Sequence, residues 1–227
     1  SSNGQRVIEA AYDRLGGYLI AKYLIDEGAE KFGFVAKEGM EDGRASVPSH
    51  PLTDDVISSL VRLWLVGHPG DDVAARFPAR FERMGLSCCL DLPKEVFSDG
   101  LKRRMLDMAG SRAEFANQLY SVILNQVDRY DLWVNGSFLD DLLEDMGIVT
   151  RDKSWTRWID QMRYQIIERL DSLFARDYSV VDEREIPPEV SWLKWLLTST
   201  VPRIRDRATR ILCMIGESFP AVIFDVL

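Results

Sequence analysis

Apolar residues recur every three or four positions along most of this chain, and that spacing predicts one helix after another. The segment 53–67 is the clearest early case. Val56, Ile57, Leu60, Val61, Trp64 and Leu65 share one broad face behind Thr53, a capping residue. Gly67-His68-Pro69-Gly70 ends it, because proline supplies no amide hydrogen and its ring clashes with the preceding turn. Similar stripes predict helices over 78–84, 94–108, 112–127, 137–146, 154–176, 189–200 and 202–218, with another starting near Pro220. The longest stripe runs through 154–176: Trp155, Trp158, Ile159, Met162, Ile166, Leu170, Leu173 and Phe174. As one continuous helix, capped by Asp152 or Ser154, it would be about 35 Å long.

The first fifty residues read differently. Residues 6–12 alternate loosely, as a short strand does, and Asp13 then caps a helix carrying Leu15, Leu19, Ile20, Tyr23 and Leu24 up to Gly28. From Gly33 to Pro51, glycine, serine and proline interrupt the pattern, which marks a loop or small hairpin and the best candidate boundary. The expected fold is therefore mainly α: residues 1–50 finish one small region with a strand, a helix and a loop, and residues 51–227 form an irregular, α-solenoid-like helical array. No regular repeat accompanies it.

Composition narrows the class. The 227 residues suffice for one large domain or two small ones, and 46% hydrophobic with 28% charged residues is ordinary for a soluble protein. A net charge of −8 argues against a dedicated nucleic-acid or anionic-membrane binder. No run of 18 apolar residues exists, so no membrane span is expected. Three cysteines, two of them adjacent, do not make a disulfide framework, and a reducing cytoplasm is the expected setting. The chain opens without Met and closes on the apolar stretch 222–227, as a segment of a longer protein would.

Candidate chemistry is sparse. The phosphate-cradling G-x-x-x-x-G-K-[ST], the G-x-S-x-G elbow and G-x-G-x-x-G are all missing from the sequence. Gly16-Gly17 sits inside a helical pattern, where it permits close packing. His50 and His68 each precede a proline in expected loops, with no spacing that joins them to a nucleophile. Cys88-Cys89 lacks C-x-x-C or H-x-x-C spacing and reads as small apolar side chains, and Cys213 is placed like a core residue. Asp140, Asp141, Glu144 and Asp145 read as a solvated helix face beside the buried stripe Leu139, Leu142, Leu143 and Met146. The sequence thus offers no catalytic residue, no cofactor-binding residue and no metal site. The one basic concentration is Arg203, Arg205, Arg207 and Arg210 around Asp206, a local charge of +3. Arg203, Arg207 and Arg210 share one helix face, opposite Ile204, Ala208, Ile211, Leu212 and Ile215. These four arginines are the partner-binding candidates, suited to carboxylates of a neighbouring helix or partner protein. The aromatic interleaving of single-strand binders is lacking there.

Three patterns in order carry a family resemblance. They are Tyr12-Asp13-Arg14-Leu15-Gly16-Gly17-Tyr18-Leu19-Ile20-Ala21-Lys22-Tyr23-Leu24; Asn135-Gly136-Ser137-Phe138-Leu139 followed by Arg151-Asp152-Lys153-Ser154-Trp155-Thr156; and Trp195-Leu196-Leu197-Thr198-Ser199-Thr200 running to Arg205-Asp206-Arg207-Ala208-Thr209. Together they resemble the part of bacterial STAND NTPases that follows the ATPase core, particularly NACHT-like anti-phage proteins of the AVAST type. Gly17 stands where that family has aspartate, Ile204 where leucine is frequent, and Pro202 where a polar residue is usual. The resemblance implies that residues 1–50 end a winged-helix-like region and that the helical array couples the ATPase core to a C-terminal sensor array. It implies a parent that binds ATP and Mg, oligomerises, senses phage protein and activates an effector domain, while this segment itself is not an enzyme. The motif residues are expected to cap and pack helices, with Asp206 as an ion-pair hub between Arg205 and Arg207. The alternative expectation is a free-standing α-helical protein-interaction adaptor.

Overall fold

A computed structural model describes residues 2–27, 52–77 and 79–226. The described residues form α-helices joined by turns and short 3-10 segments, with no β-strand among them. The chain divides into two compact units, Ser1–Met105 and Leu106–Leu227. The loop expected over 33–51, and with it the boundary near residue 50, lies outside the described residues.

In the first unit, helix α1 (Ser2–Asp26) packs on α2 (Thr53–Gly67), followed by a 3-10 turn at Val73–Arg76 and α3 (Ala79–Ser87). The strand expected over residues 6–12 is instead the opening of α1. Arg6, Glu9, Ala10 and Ala11 are good helix formers, and seven residues of loose alternation do not outweigh them. Gly17 sets the approach of the two helices: a Cβ there would lie 2.6 Å from Asp55 Cβ. Ala21 and Leu24 are buried on α1, as are all six apolar residues of the expected α2 stripe. Arg104 then ties the 3-10 turn to α3. Its guanidinium donates to Asp72 at 3.0 Å and to Glu82 at 2.7 Å.

The second unit is built around helix α10. In order, α4 (Asp99–Ser111) begins in the first unit and ends in the second, followed by α5 (Ala113–Gln126), α6 (Gly136–Asp145), α7 (Ile148–Arg151), a π turn at Asp152–Thr156 and α8 (Arg157–Gln161). After these come α9 (Arg163–Phe174), α10 (Ile186–Leu196), α11 (Pro202–Ser218) and α12 (Pro220–Val226). Helix α10 packs against α6, α11 and α12, and nine of its 11 residues are buried. A helix apolar on every side belongs in the middle of a fold. It starts at Ile186, three residues before the expected start, because Pro187 and Pro188 fit a first turn whose amides have no intrahelical partner.

One local device starts α6 and another seats it against α10. Asn135 caps α6, its side-chain oxygen accepting from Ser137 N at 3.0 Å and Phe138 N at 3.3 Å. Gly136 then lets the backbones touch: a Cβ there would sit 1.7 Å from the Pro188 carbonyl oxygen.

The continuous helix expected over 154–176 is broken. Met162, with φ −98° and ψ 14°, separates α8 from α9, and a π turn precedes α8. The stripe nevertheless stays on one side, with Trp155, Trp158, Ile159, Ile166, Leu170 and Leu173 all buried. Neither Asp152 nor Ser154 caps a helix here. The Ser154 hydroxyl instead meets the Tyr120 hydroxyl at 2.8 Å, beside the stacked Trp155 and Trp158 rings at 5.3 Å. Phe174 lies at the edge, partly exposed under Arg207.

Candidate functional site

Helix α11 presents the arginines because its opposite face is fully committed to the core. Ile204, Ala208, Ile211, Leu212 and Ile215 are buried, so Arg203, Arg207 and Arg210 must face outward. With Asp206 they line a depression of about 260 Å³. Arg207 is held in place: its guanidinium lies 3.0 Å from Asp171 and 5.4 Å above the Phe174 ring. Arg203 and Arg210 are exposed and make no ion pair among the described residues. Arg205 stands apart from the other three, donating to the Ser199 carbonyl at 2.7 Å and so closing the turn before α11. Asp206 is exposed and forms no ion pair among the described residues, so it is not the expected hub. Two free, forked cations beside one anchored cation can grip carboxylate or phosphate oxygens in pairs. Open to solvent, they contribute little to stability.

A second cluster escaped the sequence reading. At the start of α10 the carboxyl of Glu189 is completely buried. One of its oxygens accepts from Arg176 at 3.0 Å, and the other lies against the Tyr178 hydroxyl. Arg176 also binds Asp128 at 3.3 Å and Glu185, while Arg169 binds Asp128 at 2.7 Å. Burial pushes the Glu189 carboxyl up to about 7, against the opposing pull of Tyr178 and Arg176. Burial likewise raises the Tyr178 hydroxyl, assisted by the neighbouring Glu189 charge. The available signal was a single glutamate inside an otherwise apolar helix. Its partners lie 13 and 11 residues away in sequence, or on another helix entirely, and nothing in periodicity joins them.

Several expected surface and core roles change. Asp140 is not on a solvated face; it accepts from Lys194 at 2.8 Å and from the Trp195 indole at 2.6 Å, tying α6 to α10. Glu144 stays outside, 3.5 Å from the same lysine. Cys213 is exposed rather than core, since it falls between Leu212 and the outward side of α11. Cys89 is buried, its thiol donating to the Gly85 carbonyl at 3.2 Å, and burial holds its proton on tightly. Cys88 is half-buried, and burial raises its thiol too. His68 is exposed and stacks on Trp64 at 4.0 Å, while His50 lies outside the described residues. Among the described residues no helix is long and apolar enough to cross a membrane.

Compared with protein families, curated proteins and solved structures, the chain gives no match.

Proposed function

We propose that this chain is a non-catalytic helical segment of a STAND-type NTPase, coupling the ATPase core to a C-terminal sensor array in anti-phage defence. In this reading residues 1–50 finish a winged-helix-like region and residues 51–227 begin an α-solenoid-like array. ATP and Mg belong to the parent's core, in the cytoplasm. The observation that carries the proposal is the ordered set of three motifs in a sequence that has no phosphate-binding loop.

The motif residues do mechanical work that suits such a coupling element. Asn135 caps α6, Gly136 brings it against α10, Trp155 lies in the core, and Ser199 with Arg205 closes the α10–α11 turn. A close-packed body of this kind transmits displacement as a unit rather than absorbing it. The face formed by Arg203, Arg207 and Arg210 is its docking surface, and its occupant is an acidic protein surface: the rest of the parent chain, another copy of the parent, or a phage protein. The test is calorimetry of the purified 227-residue chain with Mg–ATP. The expected result is no saturable binding; tight binding by this chain alone would overturn the assignment.

A further inference from the structure

The sequence contains two Asn-Gly pairs, Asn3-Gly4 and Asn135-Gly136. Such a pair is chemically vulnerable, because glycine has no side chain to shield its backbone nitrogen or restrict its approach. That nitrogen gives up its proton to hydroxide or a dissolved base and attacks the asparagine side-chain carbon Cγ. The N–Cγ bond forms, the Cγ–Nδ2 bond breaks, and Nδ2 leaves as ammonia with a proton taken from water. The product is a cyclic imide. Water then opens it on either side, giving aspartate, or isoaspartate in which the main chain runs through the former side chain.

The fold engages or encloses the atoms this reaction uses at Asn135. Its Oδ1 accepts from Ser137 N at 3.0 Å and Phe138 N at 3.3 Å. Nδ2, the leaving group, donates to the Arg129 and Leu132 carbonyls at 3.0 and 2.9 Å, which hold the amide in place and can supply no proton. Asn135 and Gly136 are both buried, so the water that must take one proton and give another is kept away. Gly136 is also wedged against Pro188, whose carbonyl oxygen would lie 1.7 Å from a Cβ, and the ring cannot close without moving it. The two amides at Oδ1 would steady negative charge there, but only after an attack that no base is present to start.

We propose that Asn135-Gly136 is a latent modification site, inert in the folded second unit and converted when that unit unfolds, so that time spent unfolded is recorded as lost ability to refold. Chemical change of the unfolded chain is a general route to irreversible unfolding. The two products differ in consequence. Aspartate keeps the capping oxygen and loses only the two donors, so the chain still folds. Isoaspartate adds a carbon to the main chain ahead of Gly136 and draws the capping carbonyl into the backbone. The close seat of Gly136 on Pro188 leaves no room for that displacement.

The test uses the whole chain, held in mildly alkaline buffer either folded or in denaturing urea. Mass spectrometry of its peptides reads the gain from amide to carboxyl, and fragmentation separates isoaspartate from aspartate. In urea Asn135 and Asn3 should convert at similar rates. In native buffer Asn135 should convert at least about 100-fold more slowly than in urea, because the rate follows the small unfolded fraction. Ile211→Ala, a core change outside both the cap and the Gly136 contact, should speed the native conversion at least about 30-fold, through lower stability or outright failure to fold. After dilution from urea, refolded protein isolated by size exclusion should carry asparagine or aspartate at position 135, with isoaspartate confined to the protein that does not refold. A native rate within about tenfold of the urea rate overturns the proposal. So does a rate unmoved by Ile211→Ala, or refolded protein as rich in isoaspartate at position 135 as the whole sample.

Discussion

Asn135 offers the sharpest test of how the second unit is held together, because one buried side chain supplies four hydrogen bonds. Its oxygen caps α6 through Ser137 N and Phe138 N, and its amide donates to the Arg129 carbonyl at 3.0 Å and the Leu132 carbonyl at 2.9 Å. Replacing it with alanine removes the cap, a loss of about 1 kcal/mol. It also leaves the Leu132 carbonyl without its donor, at about 1 kcal/mol, whereas the Arg129 carbonyl still accepts from the Leu132 amide at 3.3 Å. The expected total for Asn135→Ala is therefore about 2 kcal/mol. Asn135→Asp keeps the capping acceptor but loses both donors, so it should cost about 1 kcal/mol. Urea unfolding followed by tryptophan fluorescence is the assay. Trp133, Trp155, Trp158, Trp192 and Trp195 all lie in the second unit and dominate the signal over Trp64. An Asn135→Ala variant within about 0.5 kcal/mol of wild type, the range of ordinary surface substitutions, would refute the reasoning.

Other expectations follow from single observations. Gly136→Ala forces a methyl group into the Pro188 carbonyl, and since that carbonyl is backbone and cannot swing aside the strain should exceed the usual overpacking range of about 1–3 kcal/mol; a native-like melting temperature would contradict it. In native protein Cys213 should react with an aromatic disulfide reagent while Cys89 reacts only after denaturation, and equally fast labelling of both would show that the Cys89 site is open. The double variant Arg203→Glu, Arg210→Glu should leave stability within about 0.5 kcal/mol of wild type, because neither side chain has an ion-pair partner among the described residues; a larger loss in unfolding experiments would mean that this face stabilises the fold.

What could be read from sequence and what could not divide along physical lines. The α2 and α11 stripes were legible because one-sided burial imposes a period of 3.6, and the structure buries those same residues. Helix α10 was recognisable, but its start was misplaced because two successive prolines look like an interruption and serve as a first turn. The break at Met162 left no trace, since the apolar spacing continues unchanged across it. The arginine face was predicted from spacing alone, although spacing did not reveal that Arg205 serves the Ser199 carbonyl. The Glu189 cluster and the Asp140–Trp195 contact were invisible for a different reason. A charged residue on an expected helix reads as solvated, and only the three-dimensional fold brings its buried partner to it.

The full reading frame of the transcript decides whether this chain is a segment of a STAND-type NTPase. Translation upstream of residue 1 should pass, in the same frame, through a G-x-x-x-x-G-K-[ST] phosphate-binding loop between a strand and a helix. A start codon immediately before residue 1, with no such loop in frame, would contradict the claim and leave a free-standing helical adaptor.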